Sequence, residues 1–174
     1  MGTVQTVTEE REISEFTLPK YNEIPDVGLY LKQVVKYINE TLGPWFDISV
    51  TETMISNYVK MHLVPNAVKK QYYRDQIAAF MFIVLSKTVV SLDNIQLLLK
   101  IREEKYEVKE AYELFSNAFI RIMRTTFGIA VEEDVEPADE VQALMKNIII
   151  AIVQKYYIDR CFKNLKIEKT ESEE

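Results

Sequence analysis

Between Thr51 and Leu99 the chain leaves little choice of local architecture. Ser49 or Thr51 can cap a helix in which Met54, Ile55, Tyr58 and Val59 face inward. Leu63-Val64-Pro65 stops that helix, because proline has no N–H to continue the ladder. A basic, tyrosine-rich stretch over Asn66 to Tyr73 reads as a loop or short wing, where a pair of strands can flank it. A very apolar helix then starts around Arg74 or Asp75 and carries Ile77, Phe80, Met81, Ile83, Val84 and Leu85. Ser91 caps a further helix bearing Ile95, Leu98 and Leu99.

The rest of the chain is also helical in period. Phe16 to Pro25, with Leu18, Tyr21 and Ile24 between two prolines, reads as an extended arm packed on the body. Asp26 suits the cap of a first helix whose stripe is Val27, Tyr30, Leu31, Val34, Val35, Ile38 and Leu42. Gly43-Pro44 is expected to end it, and Trp45-Phe46 to anchor the turn. Val108, Tyr112, Phe115, Phe119, Ile122, Met123 and Phe127 form the stripe of a long helix closed by Gly128. After an acidic loop, Pro137 suits the first position of a last helix, with Asp139 and Glu140 at its positive end. That helix is expected to fade after Leu165 into an acidic tail. The fold expected is all-α, about six helices, with a C-terminal helical pair. The segments are a flexible 1–15, an arm and central region 16–101, a helical region 102–166 and a tail 167–174.

At 174 residues the chain can bury a core without staples. The 4 Gly and 5 Pro argue against a turn-rich all-β fold. The net charge of −6 argues against wholesale coating of nucleic acid. Charge is nonetheless segregated: from Thr51 to Asp75, Lys60, Lys69, Lys70 and Arg74 outweigh Glu52 and Asp75. Cys161 stands alone, which fits a reducing compartment. The N-terminus has no apolar signal core, and no apolar run spans a bilayer, so a cytoplasmic protein without membrane contact is expected. No phosphate loop, His-Glu-x-x-His, Cys-x-x-Cys or nucleophile elbow is present, so neither an enzyme nor a cofactor or metal is expected. His62 reads as a helix-end residue, and Cys161, among Ile158, Phe162 and Leu165, as buried and inert.

A helix, a stop, a basic loop and another helix is the order that a winged helix-turn-helix needs to place one helix in a groove and one loop on the backbone. Thr53, Ser56 and Asn57 are small and polar enough to reach base edges. Lys60, Lys69, Lys70 and Arg74 can neutralise phosphates, and Tyr72 and Tyr73 can donate hydroxyl bonds to them. At these residues the sequence resembles two families. Ile55-Ser-Asn-Tyr-Val-Lys-Met-His-Leu-Val-Pro, then Tyr72, then Ser91-Leu-Asp-Asn-Ile-Gln-Leu-Leu, is similar to the DNA-binding domain of MerR-type regulators. His62 stands where that family usually has glycine, and Ser56-Asn57 where it usually has Arg-Tyr. Met54 to Lys60 and Val68 to Tyr72, with Leu18-Pro19 and Ile24-Pro25-Asp26, resemble the YkrK-like bacterial proteins of unknown function. The MerR likeness implies that the helix near 51–62 reads bases and the loop 66–74 grips the backbone of double-stranded DNA. A homodimer is expected, because one short recognition helix has a small footprint. Phe115, Phe119, Met123, Ile148 and Tyr156 are candidates for a small-molecule effector pocket. The other class open to such a chain is a helical protein-interaction module without DNA affinity.

Overall fold

The apolar spacing of the sequence is realised as helix almost throughout. The computed structural model describes residues 13–129 and 133–171. After a helical turn at 13–14 and a 3₁₀ turn at Tyr21–Glu23 come strand β1 (Leu29–Tyr30), helices α1 (Leu31–Phe46) and α2 (Glu52–Lys60), and strand β2 (Gln71–Tyr72). Helices α3 (Arg74–Ser86), α4 (Leu92–Glu103), α5 (Val108–Thr126) and α6 (Glu140–Glu171) complete the order.

Two expected caps are in place. The Thr51 hydroxyl accepts from the Met54 N–H at 3.2 Å, and the Ser91 hydroxyl from that of Asn94 at 3.3 Å. Gly128 follows α5 with φ +71°, the left-handed turn that glycine adopts without strain.

Other boundaries differ from the sequence reading. Asp26 caps nothing: β1 intervenes, α1 starts at Leu31, and Val27, 82% exposed, lies outside the helical stripe. Helix α1 also runs through Gly43-Pro44 to Phe46, with Asp47 closing it at φ 51°. Proline is tolerable so near the end, and continuing the helix delivers two rings to the core. Trp45 and Phe46 meet Phe16 edge-on at 5.1 and 5.7 Å, and Phe46 also meets Phe119 and Tyr156 at 5.6 and 5.1 Å. Pro137 precedes α6, whose cap is Asp139: its carboxylate accepts from the Gln142 N–H at 3.0 Å. Helix α6 continues past Leu165 to Glu171.

Strand β1 pairs antiparallel with β2, Leu29 opposite Tyr72 and Tyr30 opposite Gln71. The partner of β2 thus comes from ahead of α1, and only the Val68–Gln71 bridge flanks the basic turn itself. Helices α5 and α6 run parallel. Tyr106, just ahead of α5, donates to Asp139 at the start of α6, while Phe127, just past α5, meets Tyr156 and Tyr157 at 5.8 and 5.3 Å. One apolar core extends from Val34 and Ile38 of α1 through Ile77, Phe80 and Val84 of α3 to Phe115, Phe119, Ile149 and Val153 of α5 and α6. Among the described residues, no helix is long and apolar enough to cross a membrane.

Candidate nucleic-acid interface

Helix α2 buries Ile55 and Tyr58 and turns Glu52, Thr53, Ser56, Asn57 and Lys60 outward. Thr53, Ser56, Asn57 and Lys60 stand at i, i+3, i+4 and i+7, which puts them on one face. The helix is held from behind. Gln96 of α4 donates to the Met61 carbonyl at 2.7 Å, and the Lys87 ammonium lies 5.7 Å from the Tyr58 ring centre. His62 then takes φ 59°, the left-handed conformation, to turn the chain toward buried Leu63 and Val64.

The basic loop is a two-residue hairpin. Val68 and Gln71 exchange both backbone hydrogen bonds at 2.9 Å, leaving Lys69 and Lys70 as its central residues. Both are exposed, and both have positive φ, 49° and 66°. That is the conformation a type I′ turn requires, for which Asn-Gly is the favoured pair. Each lysine in it carries roughly 1–2 kcal/mol of strain.

The sequence-predicted residues around the hairpin separate into two groups. Tyr73 is partly exposed at its base. Tyr72 is not outward: it is 7% exposed, its ring packs on Phe80 at 5.4 Å, and burial pushes its hydroxyl pKa up. A side chain opposite Leu29 on the inner face of a two-stranded ribbon has to join the core. Arg74 also points inward, toward the N-terminal arm. Its guanidinium donates to the Ile24 carbonyl at 2.9 Å and that of Asn22 at 3.4 Å, sits 3.5 Å from the Asp26 carboxylate, and lies 5.4 Å from the Tyr21 ring centre. The Tyr21 hydroxyl donates to Asp75, and burial followed by that bond raises its pKa to about 12. These two residues therefore fasten the hairpin and α3 to the arm. Arg74→Lys keeps the charge but not the planar fork, so it is expected to cost about 2 kcal/mol in urea unfolding. Unchanged stability would show that the fork is not the tie.

Three glutamines not singled out in the sequence complete the frame. The Gln76 amide donates to the carbonyls of Pro65 and Asn66 at 3.1 and 3.0 Å, while its oxygen accepts from the Tyr73 N–H at 2.9 Å. Gln33 accepts in the same way from Tyr30 at 2.9 Å. The signal was legible as Tyr-x-x-Gln at 30–33 and 73–76, half of a capping box at the helix that follows each strand. Gln71 reaches Gly28, whose φ of +76° and lack of a Cβ let the Gln71 and Tyr73 side chains pass close by.

Phe119, Met123 and Ile148 are buried in the core and Tyr156 is half-buried among rings, while Phe115, also buried, borders a cavity. That cavity, about 50 Å³, lies between α3, α4, α5 and α6, walled by Ala78, Phe82, Leu98, Ala111 and Met145 with Arg102 beside it.

A family model described as a domain of unknown function, DUF1836, matches residues 19–115. No curated protein and no solved structure matches the chain.

Proposed function

We propose that this chain, which belongs to the DUF1836 family by a match over more than half its length, is a DNA-binding transcriptional regulator with a winged helix-turn-helix. Helix α2 reads the major groove through Thr53, Ser56 and Asn57, and Lys60 with the hairpin lysines Lys69 and Lys70 neutralises phosphates. The observation that carries this reading is the hairpin tip. Two lysines held in left-handed conformations, where Asn or Gly would be relaxed, place positive charge where a loop meets a backbone, and local strain of this kind collects at functional positions. The succession of β1, α1, α2, hairpin, α3 and a Ser-capped α4 supports the MerR-type likeness.

A second reading, a helical protein-interaction module, draws on Val27, Tyr30 and Val68, which are exposed apolar residues around the same ribbon.

The test is selection of duplexes from a random and own-promoter pool by the purified chain, at low and high salt. Enrichment of a motif, with affinity falling steeply as salt rises, is the expected result. A well-folded protein that enriches nothing would favour the protein-interaction reading.

A further inference from the structure

The cavity among α3, α4, α5 and α6 is apolar on nearly every side. Ala78, Ala79, Phe82, Ala111, Val141 and Met145 face it, and among the described residues that line it Arg102 alone is charged. At about 50 Å³ it exceeds the room that one water needs, yet its walls give a water almost nothing to bond. Its lining side chains go without dispersion partners on that side. Phe82, Leu99 and Ala111 are only half-buried, so the cavity reaches the surface and a guest has a way in. Arg102 sits beside it with its side chain 16% exposed. Its guanidinium already donates to the Tyr106 carbonyl at 3.2 Å and lies 3.7 Å from the Glu103 carboxylate. The wall therefore offers an incoming ion no unengaged charge, and burying an unpaired ion is costly.

We propose that this cavity is a binding site for a small neutral molecule with an apolar body, of the kind of a short-chain alcohol or ketone. Such a guest supplies the missing contacts and loses no ionic hydration on entering. It joins two parts of the chain. Ala78, Phe82 and Ala111 lie within the family-matched residues 19–115, whereas Val141 and Met145 come from α6, beyond them. Two walls of the cavity also lead to the hairpin. Helix α3, which carries Ala78 and Ala79, begins at Arg74, at the hairpin's foot. Tyr112 of α5 lines the cavity and donates its hydroxyl to the Pro19 carbonyl of the arm at 2.8 Å. Its ring lies 6.4 Å from that of Tyr21, which holds Asp75. A guest that steadies α3 and Tyr112 thus steadies the hairpin base from both sides. As a chemical signal for a regulator it rests on the DNA-binding reading, but the site itself needs no DNA.

The experiment is titration of the full chain, labelled at its methionine and alanine methyls, with n-butanol and separately with butyrate, followed by NMR. The n-butanol should shift the Met145 and Ala78 methyl signals saturably, with a Kd about tenfold below that of butyrate. Ala111→Leu fills the cavity, so it should raise the n-butanol Kd about tenfold without lowering Tm. Ala79→Val, a smaller change at the mouth, should do so in part. With n-butanol bound, amide exchange of Val68 and Gln71, which bond each other across the hairpin, should slow. Shifts that never saturate, or that survive both substitutions, overturn the site. Butyrate that binds as tightly as n-butanol overturns the ligand class. Hairpin exchange indifferent to the guest overturns the link to the hairpin. No step uses DNA, so failure here and failure of the DNA selection are separately visible.

Discussion

Lys69→Asn together with Lys70→Gly is expected to make the protein more stable and, at the same time, a poorer DNA binder. The two substitutions put the favoured type I′ pair at positions whose φ values are 49° and 66°. Relief of left-handed strain should raise stability by about 1–2 kcal/mol, after allowing for the greater freedom of glycine in the unfolded chain. For a chain of this length that is a rise in Tm of about 2–8 °C. The same change removes two phosphate-neutralising charges. If each lysine releases one counterion, the salt slope should fall by about 2 and affinity near physiological salt by about thirtyfold. Calorimetry and a salt titration of binding to the enriched duplex check the two halves. A variant that is both more stable and undiminished in binding would remove the hairpin from the interface. The opposite signs matter, because a variant that binds poorly through misfolding would lose stability as well.

The second large effect is in the arm. Phe16→Ala is expected to cost about 3–5 kcal/mol, the range for truncating a buried aromatic. The Phe16 ring is 1% exposed and has Trp45, Phe46 and Phe119 at 5.1, 5.7 and 5.8 Å. Through it the chain ahead of the ribbon touches both α1 and α5, beside the Tyr112 hydroxyl that donates to the Pro19 carbonyl at 2.8 Å. Loss of the Phe16 ring leaves a cavity among rings that are themselves fixed by helix backbones and cannot collapse into the gap. A urea midpoint that falls with an unchanged m-value is the expected signature. A loss below about 1 kcal/mol would mean that the arm contributes little to holding the body together.

Much of the fold was legible because it follows from short-range chemistry. The Thr51 and Ser91 caps, the glycine after α5 and the apolar stripe of α5 each depend on residues within one or two turns. What was not legible depends on distant partners. A two-residue strand such as β1 has no period to detect, so Asp26 looked like the nearest cap. Pro44 looked like a stop, because nothing local reveals that Phe16, Phe119 and Tyr156 await the rings that follow it. At the candidate interface, Lys69 and Lys70 were readable as exposed cations, but Tyr72 and Arg74 were not distinguishable from them by composition. Pairing with Leu29 turns the tyrosine inward, and the carbonyls of Asn22 and Ile24 take up the arginine. The parallel course of α5 and α6 was hidden for the same reason: a connection tells where two helices are joined, not which way the second one returns.

That parallel course sets the field at one end of the molecule. Two helices lying side by side in the same sense bring their positive ends together, a repulsion that an antiparallel pair avoids. Asp139 lies where both begin. It caps α6, accepts from Tyr106 ahead of α5, and has the Lys105 ammonium at 3.9 Å. The Tyr106 bond, then the Gln142 N–H, hold its carboxyl below the usual carboxylate range. Asp139 thus ties the start of α6 to the chain entering α5, and with Glu107, Glu110 and Glu140 it gathers negative charge where the two positive helix ends lie side by side.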